Sequence, residues 1–147
     1  MRELPRQLSR EELAELFEGR TAIVDALAGR DDPLGGARAA LAALPRDQRV
    51  AALNAHPAIG ARSGLSTRSA AEQGSDDDPA VLDELARLNA EYEARHGFRF
   101  VVFVNRRPRR EVLEVLRGRI DRPTDEELAT GLSELVDIAV DRWTQGS

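Results

Sequence analysis

The apolar positions of this chain recur mostly at helical spacing, and the clearest series lies near its C-terminus. Apolar side chains step there by four, three and four residues, at Leu128, Leu132, Leu135 and Ala139. Such steps place side chains on one face of a helix. Arg142 continues the series by three more residues. The pattern predicts a helix from Asp125 to about Trp143 whose core-facing side carries an arginine.

Two capping signals indicate where helices begin. Ser9 with Glu12, and Thr124 with Glu127, have the spacing of a capping box, in which the two side chains bond each other's backbone N–H. The first pair precedes apolar residues at helical spacing, namely Leu13, Leu16 and Phe17. We therefore expect one helix to begin after Ser9 and the C-terminal helix to begin after Thr124.

Further helical segments are bounded by glycine, proline or capping residues. In chain order they are 23–27, 37–44, 45–56, 66–73, 79–96 and 109–120. Phe98 to Val104 has strand propensity but no evident partner strand, and a lone strand cannot satisfy its backbone groups. We therefore expect an extended, buried connector there. The fold class predicted is all-α, a compact multi-helix fold with residues 1–147 as a single domain.

Composition narrows the possible chemistry. The chain has no cysteine and no lysine, so all 21 basic residues are arginines. Disulfides, thiolate metal sites, cysteine nucleophiles and Schiff-base lysines are thereby excluded. A net charge of -5 argues against nucleic acid as a partner. Without a long apolar run or a secretory signal in the sequence, we expect a soluble cytoplasmic protein that does not enter a membrane.

The histidine at position 56 is the first candidate for chemistry. Pro57 disfavours the helical conformation of the residue before it, so His56 is expected at a helix end, pointing off the scaffold toward a cleft. An ordinary surface or half-buried histidine is the alternative. The other histidine, His96, precedes Gly97 at the predicted end of a helix, where a structural role is expected.

Two further groups of polar side chains are candidates for ligand binding. Ser69, Glu72 and Gln73 share one face of a short predicted helix, where a solvated surface is the alternative. A buried Arg142 would need a carboxylate, from the protein or from a ligand, unless its side chain reaches solvent at the helix end. The acidic run 76–78 lacks the spacing of a calcium loop, and no metal site is expected.

The order of these residues resembles one family, the 2-oxo-4-hydroxy-4-carboxy-5-ureidoimidazoline (OHCU) decarboxylases. The resemblance extends from Phe17-Glu18 to Trp143 and is densest between His56 and Val104, although segment 20–44 matches only loosely. Its motifs are His56-Pro57, Ser69-x-x-Glu72-Gln73, Leu88-Asn89-x-x-Tyr92, His96-Gly97-Phe98-Arg99-Phe100-Val101-Val102 and Arg142. Ala58 departs from the family, which usually has a charged residue after the His-Pro pair.

The resemblance implies an all-α fold, a homodimer, a small-molecule substrate and an enzyme that needs no cofactor. It implies that His56 and Glu72 are the catalytic residues. Ligand contacts would fall on Pro57, Ser69, Gln73, Arg142 and the backbone of Phe100, Val101, Val102, Phe103 and Val104.

The activity implied is decarboxylation of OHCU to (S)-allantoin in urate degradation. The substrate contains its own electron sink beside the carboxylate, so the protein must orient the substrate, stabilise charge and deliver a proton. His56 suits the last task because the ordinary pKa of imidazole is about 6.5. The alternative is a non-catalytic helical binding module or an inactive homologue, with Arg142 and Glu72 forming a structural ion pair.

Overall fold

The computed structural model describes residues 3–56 and 78–145, and within them all regular structure is helical. The helices are α1 (Arg10–Leu16), α2 (Ala22–Leu27), α3 (Ala37–Ala43), α4 (Arg46–Asn54), α5 (Pro79–His96), α6 (Arg109–Arg119) and α7 (Thr124–Gln145). The predicted all-α fold is confirmed. The helix expected over 66–73 lies outside the described residues. No helix in the described ranges has the length and apolar character to cross a membrane.

Several helix ends form as predicted. Ser9 Oγ accepts a hydrogen bond from the N–H of Glu12 at 3.2 Å, and the Glu12 carboxylate accepts one from the N–H of Ser9 at 3.1 Å. The first capping box is therefore confirmed. Helix α5 ends at Gly97 as predicted, with a φ of 82° that glycine adopts without a Cβ penalty.

The second capping box is wrong. Helix α7 begins at Thr124 itself, and the carboxylate of Glu127 does not fold back onto the helix terminus. It is fully buried and accepts hydrogen bonds from Tyr92, Arg119 and Arg122. A glutamate at this spacing can either cap the helix terminus or accept hydrogen bonds from residues elsewhere in the fold. In this protein the buried partners on other elements bind the Glu127 carboxylate.

Helix α7 is the element around which the others are arranged. It contacts α1, α3, α4 and α5, and its buried face contains the predicted apolar series. Helix α4 approaches it closely at Gly131, where a Cβ would lie 3.3 Å from the side chain of Leu53. This close packing fixes the C-terminal end of α4 against α7, and His56 follows that end.

The segment from Phe98 to Val104 forms neither helix nor strand and is mostly buried, in agreement with the buried connector predicted there. The carbonyl of Val101 accepts a hydrogen bond from Arg119 Nη1 at 2.9 Å, and the Arg119 guanidinium lies 4.6 Å from the centre of the Phe100 ring. A buried carbonyl is thus satisfied by a side chain in place of a partner strand. We refer to residues 98–104 as the connector.

Candidate active site

His56 lies just beyond the end of α4, as the proline after it predicted. Its N–H donates to the carbonyl of Leu53 at 3.1 Å, and Ala55 keeps helical dihedral angles. The side chain is buried, since the residue is only 6% exposed. The chain after α1 covers this end of α4: a Cβ on Gly19 would lie 3.8 Å from the Cβ of Ala55.

Burial and nearby charges change the titration of His56. Burial is the largest cause, and with the positive charges of Arg142 and Arg99 it lowers the pKa of the imidazole to about 4, against an opposing effect of Glu18. This value lies well below the ordinary pKa of about 6.5. The ring is neutral at pH 7, and its buried Nε2 has no hydrogen-bond partner among the described residues.

Arg142 points into the protein, as its place in the apolar series predicted. The residue is 3% exposed, and its guanidinium lies against the end of α1. Nη1 donates to the carbonyls of Glu15 at 3.3 Å and Leu16 at 3.2 Å, and Nη2 donates to Glu18 Oε1 at 2.9 Å. The last carbonyls of a helix lack partners within it and carry partial negative charge, so they suit a guanidinium.

Glu18 is a site residue that the sequence did not reveal as one. It follows the C-cap residue Phe17 and has a φ of 59°, in the left-handed region. The turn continues through Gly19, whose φ of 137° favours glycine. The only signal in the sequence was a carboxylate directly before a glycine at a helix end, and such a pair has no periodicity to mark it.

Arg99 joins the connector to the end of α4. Its backbone N–H donates to Asn54 Oδ1 at 2.9 Å, and its Nη1 donates to the carbonyl of His56. Its Nε lies 3.6 Å from a carboxylate oxygen of Glu93 on α5. The connector therefore starts beside His56.

Not every predicted site residue is described. His56, Arg142 and the start of the connector meet around the ends of α1 and α4, although these residues are far apart in the sequence. The expected catalytic Glu72 and the expected ligand contacts Pro57, Ser69 and Gln73 lie outside the described residues. Their roles stay predictions.

His96 is held at a separate place. Its Nδ1 lies 2.8 Å from the hydroxyl of Thr124, and its Nε2 lies 3.0 Å from the carbonyl of Ile120. Because a carbonyl can only accept, the proton of the neutral ring is on Nε2. Both nitrogens are satisfied and the residue is buried, which is the arrangement of a structural histidine. Within residues 3–56 and 78–145, no three His, Asp or Glu side chains converge as metal ligands would.

Within the described residues, the fold is a helical scaffold that brings a buried histidine and a buried arginine together around the ends of α1 and α4. The family model for OHCU decarboxylase matches residues 2–144. The chain belongs to the OHCU decarboxylase family, as its motifs predicted.

Two relatives are named 2-oxo-4-hydroxy-4-carboxy-5-ureidoimidazoline decarboxylase. The protein from Haloferax volcanii is 33% identical over 102 residues, which are 64% of this chain and 58% of that protein. The protein from Halalkalicoccus jeotgali is 29% identical over 98 residues, 64% of this chain and 56% of that protein. The match thus spans less than two thirds of the length of these relatives.

Two crystal structures share the fold. An OHCU decarboxylase in the presence of (S)-allantoin superimposes with a TM-score of 0.73 at 23% identity, over 91% of this chain and 96% of that one. An (S)-allantoin synthase superimposes with a TM-score of 0.67 at 21% identity, over 92% of this chain and 48% of that one.

Proposed function

We propose that this protein is a carboxy-lyase that converts OHCU to (S)-allantoin in urate degradation without a cofactor. The observation that carries the proposal is the buried, neutral His56 with an unpartnered Nε2 close to Arg142, in a member of the OHCU decarboxylase family. An unpartnered buried nitrogen is unfavourable unless a ligand completes it. The relatives named for this activity give further support.

The substrate supplies the electron sink. When the bond to the carboxylate breaks, carbon dioxide leaves and the electron pair moves onto the adjacent carbon–nitrogen unit, which takes up a proton from water. The hydroxyl on the same ring carbon then becomes a carbonyl as its proton passes to the neighbouring carbon. One proton is consumed overall, because hydrogen replaces a carboxylate. The protein has to orient groups, stabilise charge and move a proton.

His56 is the proton carrier in this proposal. Since the ring is neutral at pH 7, it first accepts the hydroxyl proton and then returns a proton to one face of the ring carbon. Glu72 orients the imidazole or bonds the substrate hydroxyl. Arg142 pairs with an anionic oxygen of the ligand.

The remaining substrate contacts lie before α5 and along the connector. Pro57, Ser69 and Gln73 contact the substrate together with the backbone of 100–104. The carbonyl of Val101 points at Arg119. Because C=O and N–H of a trans peptide point in opposite directions, the N–H of Val102 points away from Arg119. That direction supports an amide donor for a substrate carbonyl.

The wider setting follows from the family resemblance and the composition. The partner is a small carboxylate substrate, with no nucleic acid and no membrane. Residues 1–147 act as a single domain, in a homodimer located in the cytoplasm.

The decisive experiment follows freshly generated OHCU, which decays on its own to racemic allantoin. The wild-type protein should accelerate the decay and produce one enantiomer, measured by absorbance and optical rotation. The His56→Ala variant should return both rate and product to those of the uncatalysed reaction, while its far-UV circular dichroism stays helical. The matched control is Arg87→Ala on the exposed face of α5, which should retain full activity.

Each contrary result has a distinct meaning. A wild-type protein that leaves rate and optical rotation unchanged is a helical binding module or an inactive homologue, and the proposed function is then wrong. Near-normal turnover by His56→Ala would leave the activity standing but would remove this histidine from the mechanism.

A further inference from the structure

Glu18 has a backbone conformation that is unfavourable for its residue type. A φ of 59° brings Cβ close to the following carbonyl, so this region is populated mainly by glycine, asparagine and aspartate. A glycine or asparagine would therefore suit the turn better than glutamate does. Backbone strain of this kind persists only where the surrounding structure holds the residue in place.

The side chain of Glu18 holds one end of the Arg142 guanidinium. Its Oε1 lies 2.9 Å from Nη2, and the two side chains are 16% and 2% exposed. The other terminal nitrogen is held by the carbonyls of Glu15 and Leu16. Three acceptors from one short stretch of chain thus fix the orientation of the planar Arg142 guanidinium. Because the group is buried, few other acceptors are within its reach.

The same carboxylate also acts on His56. Three charged side chains influence the imidazole from the elements around it: Arg142 on α7, Arg99 on the connector and Glu18 after α1. The two arginines oppose a positive charge on the ring, and Glu18 favours it. Glu18 is thus the one of these three charges that stabilises an imidazolium.

We propose that Glu18 is a positioning residue for the decarboxylation, which fixes Arg142 toward the substrate anion and stabilises the transient imidazolium of His56. This inference rests on the proposed function. It assigns Glu18 no contact with the substrate, because its carboxylate would repel the substrate's own. Its effect passes through Arg142 and His56.

The Glu18→Gln variant separates this role from a contribution to substrate binding. The amide keeps the size of the side chain and an oxygen that can accept from Arg142, but it removes the charge. We expect kcat to fall about 10- to 100-fold, as for a displaced catalytic group. KM should stay level or decrease, because a negative charge near an anionic substrate has been removed. Because a loss of folded protein would also lower the apparent kcat at constant KM, kcat is expressed per folded molecule, with the folded fraction measured by far-UV circular dichroism.

A second measurement needs no turnover. The chain contains two histidines, so the imidazole signals of His56 can be assigned in NMR spectra by comparison with a His56→Gln sample. In Glu18→Gln the protonation of His56 should move to lower pH than in the wild type, because the favourable charge is gone. The signals of His96 serve as an internal reference, since its ring is held in a separate place.

A Glu18→Asn variant covers the case in which the glutamine variant folds poorly. Asparagine tolerates the left-handed conformation, and its shorter side chain no longer reaches Arg142. It relieves the backbone strain, although the buried Arg142 loses its counter-charge, and kcat per folded molecule should still fall. The matched control is Glu11→Gln, which removes an exposed carboxylate that pairs with Arg20 on the surface and should leave kcat and the His56 titration unchanged.

The inference is overturned if Glu18→Gln and Glu18→Asn both retain the wild-type kcat, or if the His56 titration is the same with and without Glu18. A wild-type protein without turnover would instead contradict the proposed function. The NMR titration would then still decide whether Glu18 controls the charge of His56, so the two failures are distinguishable.

Discussion

At the scale of single residues, the two histidines differ in whether their buried ring nitrogens have hydrogen-bond partners. His96 has partners for both ring nitrogens, from Thr124 and Ile120, so it can be buried without loss. His56 is buried at nearly the same depth, yet its Nε2 has no partner among the described residues. Burial removes water from the His56 ring and places it near two arginines. Both effects disfavour the charged imidazolium and therefore lower the pKa.

This pKa predicts how stability depends on pH. A folded-state pKa of about 4 lies below the ordinary 6.5, so the unfolded chain binds this proton at higher pH than the folded protein. The contribution of the neutral His56 to the free energy of unfolding is fully present above about pH 6.5 and is lost as the pH falls toward 4. Between pH 7 and pH 5 the wild type should lose about 2 kcal/mol more than a His56→Gln variant.

Urea denaturation of both proteins at pH 7, 6 and 5 measures this difference. Because the carboxylates are the same in the two chains, their titration cancels in the comparison. Parallel dependence on pH in the two proteins would show that the folded state accommodates a charged His56, contrary to the lowered pKa.

The residues of the site differ in how far the sequence could predict them. Arg142 was predicted to face the core because it continues a periodic series on α7. His56 was placed at a helix end by the proline that follows it. Glu18 contacts Arg142 across 124 positions of sequence, through a turn without periodicity. The position of Glu18 in the site depends on a tertiary contact and on a left-handed backbone conformation. The spacing of residues along the sequence predicts neither of them.

At the scale of helices, most bounds followed from spacing and capping residues. The start of α1 and the end of α5 have the predicted caps because those hydrogen bonds join neighbours in sequence. The predicted cap at Glu127 was wrong because its partners come from three places along the chain. The close approach of α4 to α7 at Gly131 could not be predicted from the sequence either. A glycine in a helix gives the same sequence pattern whether it is exposed or packed against another helix.

Two glycines in helices offer a matched test of this packing. A Cβ added at Gly118 on α6 would meet open space, whereas a Cβ at Gly131 would meet Leu53 at 3.3 Å. Replacing an exposed helical glycine by alanine stabilises a helix by roughly 0.5–1 kcal/mol. Gly118→Ala should show that gain. Gly131→Ala should show none of it, because the methyl group displaces a fully buried leucine.

Thermal and urea denaturation of the two alanine variants provide the comparison. An equal gain at both positions would mean that Leu53 moves aside without loss and that α4 is not held by this contact. Since His56 follows α4, Gly131→Ala should also lower turnover of OHCU, and Gly118→Ala should not.

At the scale of the whole molecule, one buried cluster connects three helices to the connector. The Glu127 carboxylate on α7 accepts from the hydroxyl of Tyr92 at 2.6 Å, from Arg119 at 2.9 Å and from Arg122 at 2.8 Å. Arg119 in turn donates to the carbonyl of Val101. Burial is the main cause that raises the pKa of the Tyr92 hydroxyl, so it stays a proton donor to Glu127. The connector is therefore held at Val101 as well as through the link of Arg99 with α4.

Glu127→Gln tests whether this cluster stabilises the fold. The amide side chain would keep one acceptor but would leave the buried Arg119 without a counter-charge, and removing one partner of a buried pair typically destabilises by about 3 kcal/mol. The matched control is the neighbouring Glu126→Gln, whose carboxylate is exposed and 3.8 Å from Arg122, so its effect should stay within about 0.5 kcal/mol. Comparable urea midpoints for the two variants would mean that the cluster is neutral for stability, as some buried ion pairs are.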